Sequence, residues 1–230
     1  MAYEKVGVEF AVNTETAGDQ TNPQIATFAD GGFLVTWVSR AAWPASGQII
    51  KAQLFDASGA KAGGEFQVND QSADGVFNQS ATVLADGTLV VTWINNDTSA
   101  EGPGGVKARM FDSAGHALGG EFQVNTVESG SNFTAEIAAL SNGGFVVTWD
   151  DSANSDQKAQ VYDATGAKVG GEFTTHVTSW GNQGYGDVVG LAGGGFVACW
   201  RTPGSDGWDV YARTFDNSGT APGAISWSAP

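Results

Sequence analysis

The sequence predicts an all-β fold, a four-bladed β-propeller made of four-stranded antiparallel blades. Three observations predict it. One unit recurs four times along the 230 residues. Tight, Gly-containing turns separate short apolar runs, and such turns between apolar runs are hairpin signals. No segment carries apolar residues at helical spacing, and Gly interrupts every window long enough for a helix. With 33 Gly, 6 Pro and no G-X-Y period, the composition is that of turn-rich β structure. Units that cannot cover their own faces must stack, and radial stacking of such sheets is a propeller.

Three motifs define the repeat. Residues 63–69 read GGEFQVN, residues 119–125 read the same seven letters, and 170–173 (GGEF) and 8–13 (VEFAVN) are further copies. ADGGFLVTW ends at Trp37; its relatives end at Trp93, Trp149 and Trp200, spaced 56, 56 and 51 residues apart. An aromatic-Asp turn follows each Trp: Phe55-Asp56, Phe111-Asp112, Tyr162-Asp163 and Phe215-Asp216. From that aromatic to the Phe of the next Glu-Phe is 11 residues each time, so the length varies only between Trp and turn.

Each unit reads as four strands. Strand A is short, at 25–28, 81–84, 137–140 and 188–191. Strand B, at 33–38, 89–94, 145–149 and 196–200, is nearly continuously apolar, as a strand covered on both faces must be. Strand C lies at 49–55, 106–111, 158–162 and 210–215. Strand D lies at 65–69, 121–125 and 172–175, with a degenerate copy at 224–228. The leading segment 6–13 is an extra copy of strand D, expected to pair with strand C of the last blade and close the ring; residues 224–228 compete for that place. Residues 1–230 therefore form one domain, with repeats at about 14–70, 71–126, 127–176 and 177–230.

These motifs, EFQVN, DGGFVVTW-like strands and the aromatic-Asp turn, resemble repeats of very large, acidic bacterial secreted or surface proteins. Those proteins are type I secreted, hemolysin-type calcium-binding or adhesin-like. The resemblance covers essentially the whole chain and implies a secreted or cell-surface location. Its motifs belong to the framework and name no ligand.

Charge and composition exclude several classes. Ten Lys+Arg against 25 Asp+Glu give a formal net charge of −15. Such a surface repels nucleic acid and anionic membranes, so no nucleic-acid partner is expected. No apolar run approaches ~18 residues, so no transmembrane segment is expected. The first residues lack the basic and apolar regions of a secretory signal peptide, which leaves open a cytoplasmic chain, a trimmed one, or export by a signal not visible here. The single Cys199 allows no intrachain disulfide, and two His with one Cys argue against a transition-metal site.

The candidate chemistry lies in residues that break the repeat. The repeated Trp37, Trp93, Trp149 and Trp200 read as core between blades. Trp43 and Trp208 in B–C loops, Trp180 in a D–A loop, and Tyr185 offer flat faces on which a sugar ring can stack. Arg201, Asp206 and Asp209 are placed to hydrogen-bond its hydroxyls. Three of the four aromatics fall in the fourth unit, the most divergent. In the loop after Trp149, Asp150, Ser152, Asn154 and Asp156 alternate as the first ligands of a calcium loop do, with Ser155 and Val161 where such a loop has Gly and Glu. Calcium is thus the one cofactor candidate.

The expected function is an extracellular binding module, lectin-like or adhesive, taking a glycan or cell-surface polysaccharide through its blade loops. On this reading it is not an enzyme; oligomerisation stays open. One alternative is a structural, self-associating segment of a larger surface protein. Another is a glycosidase-like propeller using Asp19, Asp74, Glu136 or Asp187, since two carboxylates suffice for glycoside hydrolysis. Glu136 and Asp187 each stand 13 residues before their Trp, where the other repeats have Gln24 and Ser80.

Overall fold

Hairpin follows hairpin along the whole chain, because each aromatic or aliphatic run is closed by an Asp-Gly or Asn-Gly type turn. The computed structural model describes residues 7–40, 47–70, 75–95, 105–126, 132–152, 154–177, 181 and 183–222. The first sheet contains β1 (Asp19–Thr27), β2 (Phe33–Arg40), β3 (Gln48–Phe55) and β4 (Lys61–Gln67) in that order. The second contains β5 (Val76–Val83), β6 (Leu89–Asn95), β7 (Gly105–Phe111) and β8 (Phe122–Gln123). The third contains β9 (Asn132–Ala139), β10 (Phe145–Asp151), β11 (Asp156–Tyr162) and β12 (Lys168–Thr174). The fourth contains β13 (Gly184–Gly190), β14 (Phe196–Pro203) and β15 (Trp208–Phe215). All pairings are antiparallel, and no helix occurs among the described residues.

The sheets are stacked blades. Leu34, Ile50 and Val68 of the first pack on Leu89, Val91 and Trp93 of the second. Val90, Ile94 and Val106 of the second meet Ile137, Val147 and Trp149 of the third. Val146, Ala159 and Val161 of the third meet Val188, Phe196 and Phe215 of the fourth. Strand B thus sends alternate residues into two different cores, which is why its sequence is apolar throughout. The four repeated tryptophans are buried; Trp93 and Trp149 lie in cores between blades, while Trp37 packs with Val35 and Phe55 against Val12. Each large apolar side chain so enclosed contributes about 1.5–3 kcal/mol.

The turns behave as read. The Oδ1 of Asp56 accepts from the backbone N–H groups of Ser58 and Ala60, and Asp112, Asp163 and Asp216 do the same in their own turns. Hydrogen bonds to the ionised form hold these carboxyls below the usual carboxylate range, chiefly from the Ser58 hydroxyl in Asp56 and the His116 N–H in Asp112.

Among the described residues the stack is open at one junction. Inner strands β1, β5, β9 and β13 touch in sequence, with no comparable contact from β13 back to β1. Val210 is 80 % exposed, whereas its equivalents Ile50 and Val106 are fully buried at 0 %. Among the described residues β15 has no partner on its outer edge. Segment 7–13 forms no ladder with β15; it lies on the first blade, with Phe10 5.4 Å from Phe55 and the Thr14 hydroxyl donating to Glu65 at 2.7 Å. Each true strand D meets the next blade the same way: Phe66 lies 5.4 Å from Phe111, and the Thr126 N–H donates to Glu172 at 2.8 Å. The degenerate copy at 224–228 lies outside the described residues.

The inner strands are longer than expected, and the added part is irregular. Strand A was read as four residues; in the structure β1 begins at Asp19, β5 at Val76 and β9 at Asn132. Each inner strand carries a bulge, between Thr21 and Gln24, Phe77 and Ser80, Phe133 and Glu136, and Gly184 and Asp187. The first bulged residue is left-handed in all four: Asn22 (φ 54°), Asn78 (φ 50°), Thr134 (φ 51°) and Tyr185 (φ 52°). Asn adopts this region readily, but a β-branched Thr or a Tyr is strained there, and such strain gathers at functional sites. The next residue of the last bulge must be glycine: a Cβ on Gly186 would lie 2.6 Å from the Cys199 carbonyl oxygen.

Candidate active site

The bulges build a cavity. Asn78, Thr134 and Tyr185 line a space of about 310 Å³ together with Phe133, Asp150 and Arg201. A bulge breaks the period of two and re-aims the side chains around it. Two residues beyond each left-handed residue stands the same strand position: Gln24, Ser80, Glu136 and Asp187. These pair across the sheet with Thr36, Thr92, Thr148 and Cys199. The two carboxylates in this series are on adjacent inner strands.

Asp150 joins them from β10, where it pairs with Phe133 across the bulge. Its carboxylate Oδ2 accepts the Tyr185 backbone N–H at 2.7 Å. Burial pushes its pKa up to about 6; the Tyr185 N–H, the Thr134 hydroxyl and the Arg201 charge pull the other way. Glu136 is also raised above the usual carboxylate range. Burial is the main cause, the Ser80 hydroxyl opposes it, and the negative charges of Asp187 and Asp150 add to it. Glu136 therefore feels carboxylates from two other strands. Asp187 is exposed, while Asp150 and much of Glu136 are not. One exposed carboxylate beside shielded, raised ones is the arrangement that acid–base work at a glycosidic bond requires.

Above them the Arg201 guanidinium sits between two rings, 3.8 Å from the Tyr185 centroid and 4.2 Å from the Trp208 centroid. Both rings are more than half exposed. The structure thus brings Tyr185, Arg201 and Trp208 of the expected sugar site together. Asp209 and Asp206 lie on the exposed turn leading into and along β15. Trp43 and Trp180 lie outside the described residues.

Of the four oxygen residues read as a calcium loop, Asp150, Asn154 and Asp156 engage different partners. Asp150 faces the fourth blade through Tyr185. The Asn154 amide donates to Asp151 at 2.8 Å, and Asp151 pairs with Lys158 at 3.0 Å. Asp156 lies 3.0 Å from His176. The loop is in part strand, since β10 runs through Asp151 and β11 starts at Asp156. Among the described residues no group of three or more His, Cys, Asp or Glu is placed to hold a metal ion. Asp19 is exposed at the start of β1, and Asp74 lies outside the described residues.

No protein-family model matches the chain, and no curated protein matches it. Solved structures do. A thermostable family-43 glycoside hydrolase is similar at a TM-score of 0.55 and 11% identity, over 92% of this chain and 77% of its own. An endo-arabinase from Bacteroides thetaiotaomicron is similar at 0.52 and 11%, over 94% and 80%. An α-L-arabinofuranosidase from Lactobacillus brevis is similar at 0.50 and 12%, over 90% and 77%. At this identity the likeness shows the fold, and the β-propeller architecture is thereby supported. It also corrects one expectation. The expectation that the chain is no enzyme does not stand beside this fold, which it shares with a glycoside hydrolase, an endo-arabinase and an α-L-arabinofuranosidase.

Proposed function

We propose that the chain is a glycoside hydrolase, with the active site at the inner-strand bulges of the third and fourth blades. The observation that carries this is that Glu136 and Asp187 hold the same position on adjacent inner strands, with Asp150 at the bulge of the third blade and burial raising both Glu136 and Asp150. Glu136 is the general acid: shielded and flanked by negative charge, it keeps its proton at a pH where an ordinary carboxyl has lost it. It gives that proton to the glycosidic oxygen as the bond to the anomeric carbon breaks. Asp187 supplies the negative charge that the oxocarbenium-like centre needs and takes the proton of the water whose hydroxyl bonds to the anomeric carbon. Asp150 is a positioning residue that sets the charge around Glu136. The Tyr185–Arg201–Trp208 stack serves the binding role first expected of these residues, holding the glycan beside the carboxylates. A polysaccharide substrate agrees with a secreted or cell-surface location.

The test is release of reducing sugar from a panel of plant and microbial polysaccharides. At least one substrate should be cleaved by the native chain and spared by both Glu136→Gln and Asp187→Asn. Cleavage that survives both substitutions, or no cleavage across the panel, overturns the proposal.

A further inference from the structure

Arg201 is held but not satisfied. Its guanidinium lies over both the Tyr185 and the Trp208 rings, which holds it in place without using its N–H donors. Among the described residues it donates no hydrogen bond and lies within ion-pair distance of no carboxylate. The other cations near this side of the ring are spent: Lys158 pairs with Asp151 and Glu172, each at 3.0 Å, and the Arg213 guanidinium donates to the Thr175 carbonyl. Among the described residues Arg201 is also the one basic residue lining the cavity. In a chain of net charge −15, an oriented and unspent guanidinium at the mouth of a cavity is an anion anchor.

We propose that Arg201 binds an oxyanion of the substrate, and that the glycan taken by this site carries carboxylates, as a uronic acid does. This rests on the glycan reading of the site but not on Glu136 being the acid. The geometry selects the class in two ways. A planar guanidinium meets a carboxylate with two parallel N–H···O bonds, a match that a single hydroxyl does not make. The flanking rings, more than half exposed, give the pyranose an apolar face to lie against while its carboxylate is held. Asp150, whose pKa the Arg201 charge lowers, reports the contact: once an anion covers that charge, Asp150 should hold its proton to higher pH.

The experiment is calorimetric titration of the Glu136→Gln protein, in which binding is read without turnover. The probes are oligomers of galacturonate, glucuronate and mannuronate, each beside its neutral methyl ester, with inorganic phosphate as a separate arm. At least one acid should bind ten-fold or more tightly than its ester. That margin should shrink as salt rises from 50 to about 300 mM. Arg201→Gln should abolish it, and Arg201→Lys should keep a part. Circular dichroism checks that both variants fold, and Trp208→Ala, which frees the clamp without removing the charge, should reduce the margin independently. Equal binding of acids and esters, binding of none, or a margin that persists in Arg201→Gln overturns the proposal. Tight binding of phosphate alone with no acid preference shows an anchor for a free anion, which also overturns it. If glycans bind as expected but native protein cleaves none, only the hydrolase reading fails.

Discussion

The first two blades and the last two share a framework and differ at one strand position. All four inner strands carry the same left-handed bulge, 15 residues before the repeated Trp. Two residues further on, the first half of the molecule has Gln24 and Ser80, and the second half has Glu136 and Asp187. In the first half the bulged residues are Asn22 and Asn78, which take a left-handed conformation at little cost; in the second they are Thr134 and Tyr185, which do not. The raised carboxyls and the clamped Arg201 lie on the strained side, and so does the lining of the cavity apart from Asn78. A repeat fold can therefore confine its chemistry to one sector by changing residues at positions whose backbone is already fixed.

The comparison breaks most sharply on activity. Glu136→Gln and Asp187→Asn should each lower kcat by about 10²–10⁴-fold, the range for loss of a general acid or its partner. Gln24→Ala, at the equivalent place in the first blade, should change it less than about two-fold. Steady-state rates on one cleaved substrate decide this; equal losses at 24 and 136 would mean the two halves do not differ in role.

A second contrast concerns the closed and open junctions. Ile50→Ala removes a fully buried side chain between two blades and should cost about 2–4 kcal/mol. Val210→Ala, at the same position on the uncovered face, should fall within about 0.5 kcal/mol. Urea melts of both variants measure the difference. A large cost at Val210 would show that the outer face of the fourth blade is covered in solution.

The raised carboxyl at Asp150 has a sign that can be checked. A folded-state pKa of about 6, against the ordinary 3.8, means the folded chain binds more protons than the unfolded one between these values. Stability is therefore lost as pH rises through that window. Asp150→Asn should be more stable than the native chain at pH 7, by roughly 1–3 kcal/mol, and no more stable at pH 4. Thermal melts at the two pH values test it. The same substitution removes a negative charge that raises Glu136. The alkaline limb of the kcat/KM profile should move to lower pH, by less than about one unit.

Much of the framework could be read from the residues, since Trp spacing, hairpin turns and the two-sided apolar strand B each have one physical meaning. The upper half of strand A could not. Its residues, such as Thr21-Asn22-Pro23, carry no alternation, and a bulge has no composition of its own. Glu136 and Asp187 were found by counting back from the tryptophans, but their mutual influence depends on blade packing that no single-chain pattern encodes. Asp150 was the least legible member of the site, for a local reason. Alternating Asp, Ser, Asn and Asp looks like a ligand loop, yet the same alternation at the end of β10 puts Asp150 and Asp151 on opposite faces of a strand. The Arg201 clamp was half visible: its three members were named as neighbours of a sugar, while the sandwich itself needs the β14–β15 register, which pairs Pro203 with Trp208.

Leaving-group dependence tests the central role of Glu136 most directly. Native and Glu136→Gln proteins are compared on two glycosides of the same cleaved sugar, one with a dinitrophenyl leaving group that departs without protonation and one with an alkyl or sugar leaving group. The expected result is a loss of about 10²-fold or more on the second and less than about ten-fold on the first, because only the second needs the proton. An equal loss on both, or no loss on either, would contradict Glu136 as the acid and with it the assignment of the site.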